Sequence, residues 1–196
     1  GTFSLLLPAL EAATSAQLKQ FNDRDVSSTL YAYAQLKPHT AVDPKQKQQS
    51  HSVILQLAGH AQSLLVKKEI SGQSISMVLW SLATLHNNSP GSGIATGSSG
   101  VVAAAAEQLI KSDVSYDQLG SQVVANSIWA ASKLGHSDLQ LLQKGCDWMA
   151  RNPQKCRVQE VLNVLWAAGA ARYRPKLLGT LAKHVAGQSK VRGGRL

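Results

Sequence analysis

Cysteine is scarce in this chain of 196 residues: there are two, Cys146 and Cys156, and they form no C-x-x-C pair. A disulfide framework is thereby excluded, and zinc or thioredoxin chemistry lacks its usual spacing. Aromatic residues are few as well, four Trp, four Tyr and two Phe, although 44% of the chain is hydrophobic. With Ala, Leu and Val supplying much of the apolar content, close-packed helices are favoured over a sheet rich in aromatic and β-branched side chains. Acidic residues are outnumbered, 11 against 20 Lys and Arg, for a net charge of +9, and a pI near 9.8 points to an anionic partner, nucleic acid first. The apolar run near 161–171 is short and interrupted by Asn163, far from the roughly 18 residues a membrane helix needs; a soluble protein is expected. Residues 1–16 lack a basic leader and carry Glu11, so no signal peptide is expected. The chain opens on Gly1 and not on Met, which fits a targeting segment that has been removed or was never included.

Catalytic patterns are equally sparse. His39, His51, His60, His86, His136 and His184 are dispersed, with no H-x-x-x-H or H-E-x-x-H spacing, so no metal site is expected. Cys146 and Cys156 have no His or carboxylate at a spacing that would activate a thiol. The run Gly91 to Gly97 has the glycine content of a phosphate-binding loop, but its spacing is wrong and it follows a helical pattern where a strand is required. An enzyme is not expected, and neither is a cofactor.

What the chain does contain is an internal repeat. Four segments, Asp25 to Leu36, Ser74 to Leu85, Val123 to Leu134 and Glu160 to Ala171, each place an aliphatic–aromatic pair mid-segment: Leu30-Tyr31, Leu79-Trp80, Ile128-Trp129 and Leu165-Trp166. The aromatic positions lie 49, 49 and 37 residues apart. Pro38 to Ser50, rich in Lys and Gln, and Asn87 to Gly100, rich in Ser and Gly, read as insertions forming exposed loops; without them the period is in the high thirties. Within the third segment Val124, Ile128, Ala131 and Leu134 recur at helical intervals, one buried face of a helix. A second helical pattern follows each segment, in 53–66, 101–110, 139–149 and 177–185. Each unit is therefore a helix pair that buries its apolar face only by stacking on its neighbours.

The expected architecture is all-α: a solenoid of about nine helices in one domain over 1–196. A partial unit at 1–21 precedes units at 22–69, 70–111 with its loop at 87–100, 112–151 and 152–188, and a basic tail occupies 189–196. Tyr31, Trp80, Trp129 and Trp166 lie in phase with the aliphatic stripe, so they are expected as the structural core of the repeat. Trp148 falls in the second helix of the third unit.

The Leu-Trp-Ala-like pairs, the Arg or Gln seven residues before each aromatic and the closing Lys133-Leu134-Gly135 resemble octotricopeptide repeats, the 38-residue helical hairpins abundant in organelle proteins of green algae. Tyr31 in place of Trp, and Ala170-Ala171 in place of Lys-Leu, depart from that pattern. The resemblance spans nearly the whole chain. It implies binding of organellar RNA, either in transcript maturation, stabilisation or translation, or as a ribosomal component, in a mitochondrion or alternatively a chloroplast. The family's RAP domain has no counterpart after Val185.

Two polar columns accompany the aromatics: Arg24, Gln73, Gln122 and Gln159 seven residues before, and Ser28, Met77, Asn126 and Asn163 three before. They lie about one turn apart on one side of the helix. In helical readers that take one base per repeat, such residues bond base edges; helix capping is the alternative for them, and Met77 suits base reading poorly. Beyond Glu160 there is no acid, while Arg172, Arg174, Lys176, Lys183, Lys190, Arg192 and Arg195 are basic, leaving 13 basic against 11 acidic residues in the first 160. This cluster, with Tyr173 as a stacking surface, suits phosphate contact, and a flexible Gly193 to Leu196 fits an end that orders on RNA. Lys133 also belongs among the candidate contacts, with Lys144 and Arg151 as an alternative basic line. Four or five units cover four or five bases, too few to select one transcript, which favours an architectural role on ribosomal RNA among neighbouring proteins. The competing reading is a protein-binding solenoid scaffold.

Overall fold

A computed structural model describes residues 3–36, 44–111 and 116–193. The protein is all-helical, with eleven α-helices, two 3-10 turns and no strand among the described residues. They divide into two compact units, up to Ala105 and from Ala106 on, the division falling within helix α6.

The first unit contains α1 (Phe3–Gln17), a 3-10 turn (Leu18–Gln20), α2 (Asp23–Leu36), α3 (Pro44–Lys67), α4 (Gly72–Asn88), the single turn α5 (Ile94–Gly97) and the start of α6 (Ser99–Lys111). The dominant packing is α2 against α4, and α3 packs on α2 and α1. The reason is the aliphatic phase: Val26 and Leu30 of α2 and Ile75, Leu79 and Leu82 of α4 are all buried, with Leu57 and Ala61 of α3. Asp23 ties the two N-termini together, accepting from Ser71 N (3.1 Å) and Ser74 Oγ (2.8 Å), and these bonds hold its carboxyl below the usual range against the opposing effect of burial. Since Tyr31 and Trp80 also meet, 5.5 Å between ring centroids, α2 and α4 run parallel and in register.

The second unit contains α7 (Tyr116–Leu119), α8 (Ser121–Lys133), α9 (Leu139–Arg151), a 3-10 turn (Pro153–Lys155), α10 (Val158–Ala170) and α11 (Leu178–Gly193). It repeats the arrangement: α8 packs chiefly on α10, α9 packs on both, and α11 packs on α10 and α9. Ile128, Cys146, Met149, Val164 and Leu181 form its core. Helices α8 and α9 approach closely because Gly145 has no side chain; a Cβ there would lie 2.2 Å from Ile128 Cδ1. One strut recurs in both units. The Nε2–H of His60 on α3 donates to the carbonyl of Phe21, two residues before α2 (2.8 Å), and that of His184 on α11 donates to the carbonyl of Cys156, two residues before α10 (3.0 Å).

Both expected loops are partly helical. Of Pro38 to Ser50, the residues up to 43 lie outside the described ones, and Pro44 to Ser50 open α3. There Ser50 and Gln46 donate to the buried carboxylate of Glu11, so the Gln-rich text belongs to a helix whose polar side chains satisfy a buried acid. In Asn87 to Gly100 only residues 89–93 and Ser98 lie outside α4, α5 and α6. Ile94 is buried, and buried Ser98 donates to the Ile94 carbonyl (2.6 Å), an anchor that the Ser and Gly composition concealed.

Within the second unit, α8 and α10 depart from simple repetition at their C-terminal ends. After α8, Gly135 has φ +81°, with His136 N bonded to the Ala131 carbonyl (2.9 Å). After α10 the same closure places Arg172 at φ +54°, with Tyr173 N bonded to the Ala168 carbonyl (2.8 Å). This left-handed position normally takes glycine, and a side chain there costs roughly 1–2 kcal/mol. Arg172→Gly is therefore expected to raise thermal stability by about 1 kcal/mol, and Gly135→Ala to lower it, both measured by thermal melts.

Candidate nucleic-acid interface

In each of α2, α4, α8 and α10 the aromatic of the repeat is the ninth helical residue, counted from Asp23, Gly72, Ser121 and Val158. The equivalence of position expected from the repeat is present. The burial expected for it is not. Tyr31 is 43% exposed and Trp166 44%, and Trp80 and Trp129 are partly exposed. The core is carried by the preceding aliphatic instead, Leu30, Leu79 and Ile128 being buried, with Leu165 partly so.

Helical geometry explains the correction. Residues at i, i+4, i+7 and i+11 fall within one narrow arc at about 100° per residue. Arg24, Ser28, Tyr31 and Gln35 therefore share one stripe of α2, and Gln73, Met77, Trp80 and Thr84 share one of α4. On α8 the stripe is Gln122, Asn126, Trp129 and Lys133; on α10 it is Gln159, Asn163, Trp166 and Ala170. None of these sixteen residues is buried. The aromatics belong to the polar columns and not to the aliphatic face, about 100° away.

Capping is assigned to other residues. Asn22 Oδ1 accepts from Arg24 N (2.9 Å) and Asp25 N (3.0 Å), and Ser71 Oγ accepts from Ser74 N (3.2 Å). At α10, Glu160 accepts from Arg157 N (2.7 Å). The column of Arg24, Gln73, Gln122 and Gln159 is the second residue of each helix and opens the surface stripe, with all four side chains exposed. Gln159 Nε2 donates to Asn163 Oδ1 (3.0 Å), which fixes the two amides against each other while leaving both N–H donors of Asn163, and the second N–H and the carbonyl of Gln159, for other partners. Ser28 lines a groove of about 330 Å³ between α1 and α2, beside Leu10 and Phe21.

On the second unit a cation joins the aromatics. Lys133 Nζ lies over the Trp166 ring at 4.1 Å and over the Trp129 ring at 5.9 Å. Lys144 is occupied otherwise: its ammonium donates to the carbonyls of Leu109 (3.0 Å) and Ile110 (2.8 Å) at the end of α6 and lies 4.6 Å from the Tyr116 ring. Desolvation lowers its pKa. Arg172, Arg174 and Lys176 are exposed in the connection between α10 and α11, with Tyr173 half-buried among them, and Lys183 is exposed on α11. The side chains of Lys190 and Arg192, and Arg195 with the end of the tail, lie outside the described residues. Trp148 packs edge-on against Tyr116, 6.1 Å between centroids.

Burial pushes the Cys146 thiol up to about 12 and the Cys156 thiol up to about 11, so both are held as thiols at neutral pH. Among the described residues no group of three or more His, Cys, Asp or Glu is placed to hold a metal, and no helix is long and apolar enough to cross a membrane.

What reading the sequence missed is the exposure of the aromatics, and the signal was available: residues three and seven before an aromatic share its face. Compared with protein-family models, with curated proteins and with solved structures, the chain matches none.

Proposed function

We propose that the protein binds single-stranded RNA along the stripes of α2, α4, α8 and α10, as an organellar helical-repeat protein of octotricopeptide type arranged as an α-solenoid. The observation that carries this reading is the recurrence, on four helices and in one register, of an exposed or partly exposed aromatic with an amide or guanidinium side chain two turns before it, joined on α8 and α10 by an asparagine one turn before it. Aromatic faces stack bases, amides bond their edges, and the net charge of +9 favours a polyanion. Four stripes that each take one base encode little sequence. Shape and charge then dominate selection, which fits clamping of ribosomal RNA in a mitochondrial ribosome among neighbouring proteins better than unaided choice of one transcript. Nothing in this reading calls for a catalytic step or a cofactor.

The test is binding of unstructured and structured RNA oligomers at low and moderate salt. Affinity at low salt that falls as salt rises is the expected result; negligible affinity at both would overturn the reading in favour of a protein scaffold. In the same assay Asn126→Ala or Asn163→Ala should change preference among bases by about 1–3 kcal/mol for a lost bidentate contact, the scale known for DNA bases. Unchanged base preference in both would remove this column from recognition.

A further inference from the structure

From the second unit we infer that Trp129, Lys133 and Trp166 form a stacking site for one unpaired nucleobase, in which Lys133 leaves the rings for the adjoining phosphate as the base enters. The inference rests on the RNA reading and specifies its principal contact. The three side chains come from two parallel helices and converge on one exposed spot, with the ammonium 4.1 and 5.9 Å from the two rings. A Trp that is 44% exposed is a large apolar surface to leave open, and the cation over it supplies the partner that the packed core does not.

The same features make the spot receptive to a base. A nucleobase offers a broader π contact than an ammonium and satisfies both indole faces, while Lys133, released, gains a phosphate as a charge partner. One turn before Trp129 stands Asn126, and one turn before Trp166 stands Asn163, with Gln122 and Gln159 a further turn back. These amides lie within the same stripes, where they meet the edge of a base whose face rests on the indoles. The electrostatics agree: α8 contains no acidic residue, and the one acid of α10, Glu160, is buried and bonded to Arg157 N. In the first unit the arrangement is already closed. Tyr31 and Trp80 pack on each other at 5.5 Å with an interplanar angle of 33°, neither α2 nor α4 contains a lysine, and α2 opens with Asp23 and Asp25. The site is thus specific to the second unit.

The experiment uses the full chain and a fluorescein-labelled, unstructured RNA of about 12 nucleotides, a length that exceeds four one-base contacts. Trp166→Ala should weaken binding roughly 5- to 150-fold, the range for one lost base stack, and leave the salt slope unchanged. Trp166→Phe should retain most of the affinity. Lys133→Gln should instead flatten the log-affinity against log-salt slope by about 0.7, one phosphate contact on a single strand. Binding should quench tryptophan fluorescence in the wild type and quench it less in Trp166→Phe. If the wild type binds RNA but Trp166→Ala binds equally well with undiminished quenching, the stacking site is overturned and the RNA reading stands. If the wild type binds no RNA at low salt, the reading itself fails and the site with it.

Discussion

Replacing Leu79 by alanine is expected to destabilise the protein by about 2–5 kcal/mol, the range for a fully buried leucine, while replacing Trp166 costs less than about 1 kcal/mol. Leu79 is 1% exposed and packs where α4 meets α2, whereas Trp166 stands at the surface with Lys133 over its ring. The inequality reverses the usual expectation that the larger aromatic contributes more to a core. Denaturant melts of the two variants check it; a Trp166→Ala loss as large as that of Leu79→Ala would return the aromatic column to the core.

That reversal shows how far the sequence was legible. Helix pairs and the common register of the aromatics follow from a 3.6-residue phase that recurs with a long period, and both are present in the fold. The side on which Tyr31, Trp80, Trp129 and Trp166 project was harder to read. A Leu-Trp dipeptide invites assignment of both residues to the core, although neighbours in a helix point about 100° apart. Only one of the two fits the buried face, and the i, i+4, i+7 relation to Arg24, Gln73, Gln122 and Gln159 decides which. Other features depend on contacts distant in the chain, which composition does not reveal. Ser50 and Gln46 read as loop because nothing near them announces the buried Glu11 that they bond. Lys144 reads as a free cation because the carbonyls of Leu109 and Ile110 that it caps lie more than 30 residues away. Arg172 stands where α8 has Gly135, and its positive φ becomes visible only when the two helix ends are compared.

Neutralising Arg172, Arg174, Lys176 and Lys183 to glutamine is expected to flatten the salt dependence of RNA binding by nearly three units, if each meets one phosphate of a single strand at about 0.7 per contact. Over a fourfold rise in salt, wild-type affinity should then fall about 50 times further than that of the variant. Because phosphate contacts carry no sequence information, all RNAs should weaken alike, in contrast with the base-dependent effect of Asn126→Ala. The four side chains are exposed, so helical content by circular dichroism should be unchanged. A folded variant with the wild-type slope would remove the connection between α10 and α11, and Lys183 with it, from the RNA contact.

The central claim, that RNA lies on the stripes of α2, α4, α8 and α10, is tested most directly by mapping ultraviolet cross-links between the full chain and bound single-stranded RNA. The account predicts cross-linked peptides containing Trp166 and Trp129, with further adducts on α2 and α4, and none on α3 or α9. Cross-links confined to α3 or α9, on a chain that binds RNA, would contradict it.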